Sequence, residues 1–501
     1  MIPLTFEEVV AAVGVKTDAD AGGRAAARPA FSFTGVTTDS RQVRAGDLFF
    51  AIPGPKYDGH AFAGEALASG ALAAVVRGGR PLGASLPEGA VLIEVDDPVR
   101  ALGRLGRYHR RQLGADVIAV TGSNGKTTTR EMIRHVLGGR RRGRCSIKSF
   151  NNEIGVPLTL LSAEAADEFL VVEIGTNAPG EIDALARLVE PEVAVVTNVG
   201  PVHLERLGTV EGVAREKLSL LGHIRPGGCA IVNIDADAVR AELAEMRRRQ
   251  SAGASVLRQD VKIVTVGRHE EADLRLTSVR ATDGDVHGAA GAAVEFEVNG
   301  KFRYCLGVPG AHNASNALAA IAVARRFGME HDEIASRLSP AGGFSLPAMR
   351  LERHRIPWRS GSSRGEVEII NDAYNANPVS VSAAIDVLRS HPVVPPGRRV
   401  IVLGEMRELG PRAGEYHESA AREVATAGID VMLAVGTHAE RMAGAVRAAD
   451  GCRTEAHAAP DAEAATKCIG RLCRPGDVVL IKGSRAVGLD RVAAALVGAA
   501  T

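Results

Sequence analysis

Cysteine is sparse in this chain and never grouped: six residues stand singly among 501, at positions such as Cys145, Cys229 and Cys305. With no Cys-x-x-Cys pair and no Cys/His cluster, neither a zinc site nor a disulfide framework is indicated, and free thiols in a reducing compartment are expected. A surplus of charge is lacking as well. The net value of +1 removes support for a protein that coats nucleic acid or lies on a membrane surface. The opening Met1-Ile2-Pro3-Leu4-Thr5-Phe6-Glu7-Glu8 has no basic head or apolar core of a signal peptide, and no apolar run reaches membrane-spanning length. A cytoplasmic monomer is expected, with no membrane anchor and no nucleic-acid partner. The basic run Arg140-Arg141-Arg142-Gly143-Arg144 reads as a solvated helix exit. Repeats of solenoid period are absent.

What is present is an ordinary globular balance, 46% hydrophobic and 24% charged, in a chain too long for one core. Three blocks can be read. The first, 1–112, holds the alternating stretch Asp47-Leu48-Phe49-Phe50-Ala51-Ile52, a helical pattern from Ala61 to Ser69, and the strand-like Ala73-Ala74-Val75-Val76. It ends in an Arg-rich amphipathic helix, Val99 to Gln112. The second, 113–340, repeats apolar runs separated by helical segments: Val117-Ile118-Ala119-Val120, Leu170-Val171-Val172, Val193-Ala194-Val195-Val196, Ala230-Ile231-Val232 and Ile263-Val264-Thr265-Val266. That is the rhythm of a parallel sheet with crossover helices. Between Leu274 and Leu306 the period becomes two, and Asn299-Gly300 offers a type I′ turn for an antiparallel hairpin. The third block, 341–501, follows a Gly/Pro-marked stretch and reads as a second doubly wound sheet on Val367–Ile370, Val400–Leu403, Val431–Val435 and Val478–Ile481. Within it, Arg353–Gly365 reads as a polar surface loop.

Thr121-Gly122-Ser123-Asn124-Gly125-Lys126-Thr127-Thr128 lies between a buried strand and a helical pattern. Glycines let backbone N–H groups close round phosphate oxygens, and the helix N-terminus adds a favourable dipole. Lys126 supplies a charge for the β/γ-phosphates, and the Thr127 hydroxyl can ligate Mg²⁺. Val120 stands where the first glycine of a Walker loop belongs, which weakens a GTPase-switch or transporter-ATPase reading. Glu173 falls at the C-terminal end of its strand, where parallel sheets place ligands, and can complete the Mg²⁺ shell. His203 also follows a strand end; alone it is as readily structural. Spacing alone makes Lys217 a solvated helix lysine.

The loop resembles the T-G-x-N-G-K-T-T segment of the Mur ligases and of their relative, folylpolyglutamate synthase. The resemblance extends over nearly the whole chain and implies an α/β protein of three domains: a small N-terminal domain binding a UDP-sugar, a central P-loop sheet with an antiparallel hairpin region, and a C-terminal Rossmann-like domain closing over ATP. Val-x-Asn-x-Gly-x-x-His and Gly212-Val213-Ala214-Arg215-Glu216-Lys217 resemble the family segment in which, by this match, His203 would bind a second Mg²⁺ and Lys217 would carry a carbamate. His312-Asn313-Ala314-Ser315-Asn316 resembles the adenine segment, with Asn313 and Asn316 on the purine; helix capping by these residues could coexist. Arg350 matches an arginine reaching ATP phosphate, although Pro347-Ala348-Met349-Arg350 departs from the Pro-Gly-Arg of some members, and Asp372 matches an aspartate on the ribose.

Thr38-Asp39-Ser40-Arg41 and Asp58-Gly59-His60 resemble the UDP-binding domain, which folylpolyglutamate synthase lacks, and Asn151-Asn152 fits the segment lining the substrate channel. Asn371-Asp372-Ala373-Tyr374-Asn375-Ala376-Asn377-Pro378, with Gly404–Gly410 and Lys482–Arg485, is similar to the branch that adds D-alanyl-D-alanine to a UDP-N-acetylmuramoyl-tripeptide. Tyr374, Asn375 and Asn377 then join the substrate-binding candidates. The Asp-Asn-Pro-Arg signature of the diaminopimelate-adding branch is absent. The alternatives are a family member adding a single amino acid, a P-loop switch, and a non-catalytic binding protein.

Overall fold

The computed structural model describes residues 1–15, 30–54, 56–83, 85–252, 257–286 and 289–498. Near the N-terminus, four parallel strands, Gly35–Thr37, Asp47–Phe50, Ala73–Arg77 and Leu92–Val95, pair in chain order. Asp47–Phe50 is buried along its whole length rather than alternating, because it lies inside the sheet with apolar cover on both faces. The helix Pro98–Gln112 leaves this unit. Asp97 caps it, accepting from the Val99 and Arg100 amides, and Pro98 occupies the first turn, where its missing N–H costs nothing. Ala101, Leu102 and Leu105 pack into the first core. Arg110, fully buried, reaches the other way to the Val189 carbonyl at 2.7 Å and to Glu192 at 2.7 Å.

A nine-stranded sheet forms the middle of the molecule. Its phosphate-loop strand, Asp116–Thr121, lies between Val193–Val196 and Phe169–Glu173, all three parallel. The loop leaving its C-terminal end is therefore flanked by Thr197 and Asn198 on one side and Glu173 on the other. Helices cover both faces. The expected hairpin is present: Ala289–Val298 runs antiparallel to Phe302–Leu306, and Asn299 and Gly300 both have positive φ (58° and 65°), as a type I′ turn requires. The run from Arg140 to Arg144 is ion-paired rather than simply solvated. Arg141 meets Asp116 at 3.0 Å, Arg142 meets Glu164 at 2.7 Å, and Arg144, on the edge strand Gly143–Cys145, meets Asp167 at 2.7 Å.

The last sheet has six strands in the order Glu352–Ser360, Ser363–Asn371, Val478–Lys482, Arg399–Gly404, Val431–Val435 and Glu455–Ala459. Here the reading of Arg353–Gly365 as a surface loop is corrected, since the segment makes most of an edge hairpin in register with 363–371. Ile356 is buried and Trp358 packs against the same core, its indole N–H donating to the Cys473 carbonyl at 3.2 Å, while Arg355, Pro357 and Arg359 alternate with them and are exposed. The alternation of apolar and charged residues is that of a half-covered edge strand. No helix among the described residues is long and apolar enough to cross a membrane.

Candidate active site

The phosphate loop closes on itself before any ligand is considered. Gly122 (φ 151°) and Gly125 (φ 77°) hold backbone conformations that side chains resist. Space is also short, because a Cβ on Gly125 would collide with the Asn316 carboxamide and one on Gly122 with the Thr197 hydroxyl. The Asn124 amide donates to Asn198 Oδ1 at 2.8 Å, and Ser123 exchanges hydrogen bonds with Gly200. The helix Lys126–Leu137 starts at once, aiming its free amides into the loop.

Charge is concentrated on this helix end. Lys126 Nζ donates to the Gly122 carbonyl at 2.8 Å, and Thr127 Oγ1 donates to Glu173 Oε2 at 2.9 Å. From the C-terminal sheet unit, Arg350 donates to Thr127 Oγ1 at 2.8 Å while stacking over the Tyr374 ring at 4.3 Å. Burial pushes the pKa of both Lys126 and Arg350 downward; the charge of Arg350 adds to the shift on Lys126 and that of Arg130 to the shift on Arg350, with Glu173 opposing both. Glu173 is already held by Arg130 at 3.1 Å and by the Asn151 amide at 2.9 Å. Two half-buried cations thus face a carboxylate that others already hold, an imbalance that a polyanion entering the loop would relieve.

These groups line a cleft of about 780 Å³ between the central and C-terminal sheets. Ser123, Asn124, Gly125, Lys126, Thr127 and Thr128 form its floor, with Asn151, Asn152, Glu173 and His203 on the central side. Asn313 and Asn316 also line it. They do not cap their helix, since Asn316 donates to Asn313 Oδ1 at 3.0 Å and Asn313 to the Pro309 carbonyl at 2.7 Å. Across the cleft stand Arg350, Asp372, Tyr374, Asn375 and Asn377. Asp372 is paired with Lys482 at 2.6 Å, and Asn377 both caps the helix Pro378–Ser390 and exchanges amide hydrogen bonds with Asn124.

The expected set of metal ligands is brought together only in part. Thr127 and Glu173 offer adjacent hard oxygens, a pair that suits Mg²⁺ bound chiefly through water and phosphate. His203 lines the cleft, but its Nδ1 pairs with Glu408 of the C-terminal unit, and no group of three or more His, Cys, Asp or Glu able to hold a metal occurs among the described residues. Lys217 is not the solvated lysine that spacing suggested. It is buried and makes no hydrogen bond through Nζ, and burial, then the charge of Lys126, hold its pKa well below the ordinary value. Its neighbour Glu216 explains the register: that carboxylate accepts from the Gly180 amide at 2.7 Å and the Ile182 amide at 2.8 Å, pinning one helix to the start of another.

The first-domain candidates lie outside this cleft. Arg41 is exposed and paired with Asp39, and Ser40 donates to Glu65 at 3.3 Å. His60 is buried with both ring nitrogens engaged, Nδ1 with Asp58 at 2.7 Å and Nε2 with the Arg77 amide at 2.9 Å. Gly59 presses against the Ile52 backbone, where any side chain would clash. Asp58-Gly59-His60 therefore builds a turn, with both nitrogens of His60 engaged within the protein.

Sequence reasoning missed Arg130, and it gave no individual role to Lys482 or Glu408, which lie in the segments Lys482–Arg485 and Gly404–Gly410 noted for their resemblance. Arg130 lies four residues after Lys126 on one helix, so it shares the face that looks at Glu173. Lys482 ends a parallel strand, as Glu173 does. Glu408 carries no such sign, being 205 residues from the histidine it meets.

Comparison with known proteins places this geometry. Three family models match in chain order: the Mur ligase family catalytic domain over 32–110, the Mur ligase middle domain over 120–324, and the Mur ligase glutamate ligase domain over 354–485. The chain belongs to the Mur ligase family. Curated Mur ligases similar to it include the UDP-N-acetylmuramoyl-tripeptide–D-alanyl-D-alanine ligase of Bacillus subtilis, 33% identical and covering 91% of this chain and 92% of that one. The Mycobacterium tuberculosis ligase of the same name is 34% identical over 99% and 98%. Among solved Mur ligases, MurF from Acinetobacter baumannii superposes with a TM-score of 0.79 at 28% identity over 99% of each chain. MurF from Thermotoga maritima in complex with ADP gives 0.72 at 27% identity, covering 92% and 96%.

Proposed function

We propose that this Mur ligase joins D-alanyl-D-alanine to a UDP-N-acetylmuramoyl-tripeptide in peptidoglycan precursor synthesis, driven by ATP. The observation that carries the reading is the convergence of Lys126, Thr127 and Glu173 from one sheet with Arg350 from another. Residues 1–112 take the UDP-sugar end, with the half-buried Ser40 and the exposed Arg41 among its polar groups; 113–340 hold ATP; and 341–501 close over the nucleotide and receive the dipeptide. The nucleotide phosphates lie in the loop from Gly122 to Thr128, the purine at Asn313 and Asn316, and the ribose at Asp372. Asn151, Asn152, Tyr374, Asn375 and Asn377 face the peptide substrates.

The tripeptide carboxylate attacks the γ-phosphate, forming an acyl phosphate and releasing ADP; the dipeptide amine then attacks the acyl carbon and expels phosphate. Lys126 and Arg350 screen two anions forced together and follow the charge that moves to the leaving oxygen. Mg²⁺ would be held by Thr127 and Glu173, with a second ion at His203, and supplies charge neutralisation on the phosphate oxygens when bound. Lys217 is suited to carbamoylation: burial, then the charge of Lys126, lowers its pKa well below the ordinary lysine value, so its amine sheds its proton more readily and can add to CO₂, forming an N–C bond and releasing a proton. The resulting anion offers that ion an oxygen and offsets the neighbouring positive charge.

Phosphate release should require ATP, the UDP-tripeptide and D-alanyl-D-alanine together, with D-alanine or another single amino acid failing as acceptor. Release that is indifferent to omission of the UDP-tripeptide or of the acceptor would reject the assignment, and equal turnover with single amino acids would move it to another branch of the family.

A further inference from the structure

Arg130 is buried, charged and outside every role assigned above. Its guanidinium reaches three acceptors: one terminal nitrogen donates to Glu173 Oε2 at 3.1 Å and to the Lys148 backbone carbonyl, and the other donates to Glu131 Oε1 at 2.6 Å. Nε, also buried, has no partner. A positive charge in such a place is costly unless its geometry serves something.

What it joins is specific. Glu173 Oε2 is the oxygen shared with Thr127, while Oε1 is held by Asn151. Lys148 begins the segment that carries Ser149, whose hydroxyl receives the Tyr374 phenol O–H from the C-terminal unit, and then Asn151 itself. Lys148 stands at φ 50°, a left-handed backbone that an ordinary side chain resists and that the hydrogen bond from Arg130 helps to hold. One guanidinium thus fixes the direction of the carboxylate and the path of the loop on the peptide side of the cleft. A lysine, with tetrahedral N–H groups and a shorter reach, could not serve all three acceptors with a planar fork.

We propose that Arg130 is a positioning residue that sets Glu173 for the divalent cation accompanying the nucleotide and, through Lys148, ties that setting to the loop facing the peptide substrate. This rests on the reading of Thr127 and Glu173 as the cation's protein oxygens. It predicts a defect that depends on metal and is shared between the two substrates, rather than a general loss of stability.

The test is direct binding of ADP to the full-length protein, by calorimetry with and without Mn²⁺ and by the paramagnetic signal of the bound ion, on wild type, Arg130→Met and Arg130→Lys. For Arg130→Met, affinity for metal-free ADP should stay at the wild-type value while affinity for Mn²⁺–ADP falls about tenfold, the usual effect of losing an outer group that orients a metal ligand. Arg130→Lys should recover part of that loss, and KM for the UDP-peptide should rise in both. Wild-type Mn²⁺–ADP affinity in a folded Arg130→Met protein overturns the proposal. So does wild-type affinity in Arg130→Lys, which decides the matter if the methionine variant does not fold. Failure of the wild-type protein to bind Mn²⁺ with ADP would instead strike at the site assignment beneath it.

Discussion

At the scale of single residues, Lys217 is the group whose burial most needs a reason. Burial, then the charge of Lys126, lowers the Lys217 pKa well below the ordinary lysine value, so between the two values the unfolded state binds more protons and this group's contribution to stability rises with pH across that range. In CO₂-free buffer at pH 7, Lys217→Met should therefore be more stable than wild type, since methionine brings no ionisable group to desolvate or deprotonate on folding. The same variant should lose nearly all turnover. Urea denaturation and phosphate release measure the two effects, and a variant that is both less stable and fully active would contradict the assignment. Growth in ¹³C-bicarbonate should give wild type a carbamate carbon signal that the variant lacks.

Residues of this kind also mark where sequence stops informing. The phosphate loop was legible because its parts are consecutive, and Glu173 because strand ends have meaning in a parallel sheet. Burial of Lys217 and Arg130 was not, since a helix lysine or arginine has the same spacing whether it faces water or a neighbouring strand.

At the scale of elements, the helix Pro98–Gln112 splints the first unit to the central one. His109 on it is buried and accepts the Ile2 amide at 3.1 Å; burial, followed by the charge of the N-terminus, pushes its pKa from 6.5 down to about 4. The unfolded chain takes up this proton near pH 6.5, the folded chain only near 4. Stability is therefore present above the first value and lost as pH falls through the window, by up to about 3 kcal/mol. His109→Gln should flatten that part of a stability–pH curve measured by urea unfolding; an unchanged slope would count against it. At the next residue, Arg110→Ala should cost about 3 kcal/mol by leaving two carbonyls without their donor and Glu192 with only Arg225 and the Val117 amide, read as a lower urea midpoint.

The helix itself was legible from its amphipathic period, as was the hairpin at Asn299-Gly300 from its turn residues. Its double allegiance to two cores was not, because periodicity reports how wide an apolar face is and never what covers it. The edge hairpin 352–371 failed for a related reason: Arg353, Arg355 and Arg359 interrupt its outer strand, and only the covering core shows why Ile356 and Trp358 are on alternate positions.

For the whole molecule, the central and C-terminal units meet at the cleft through four side-chain contacts among the described residues, Arg350 with Thr127, Asn377 with Asn124, Tyr374 with Ser149, and Glu408 with His203, and the Glu205 amide also donates to the Glu408 carbonyl at 3.4 Å. Glu408 keeps its pKa below the usual carboxylate value chiefly through its hydrogen bond to His203. Removing that carboxylate in Glu408→Gln, together with Tyr374→Phe, should enlarge the radius of gyration of the ligand-free protein in small-angle scattering. It should also lower kcat/KM about tenfold, equivalent to about 1.4 kcal/mol of closure. Scattering and kinetics both identical to wild type would show that the contacts do not govern closure. The pairing of Arg350 with Thr127 carries a pharmacological corollary. A compound wedged into the seam would leave both halves chemically whole yet unable to act on ATP, and an escape mutation on one shore would still have to respect the shape of the other.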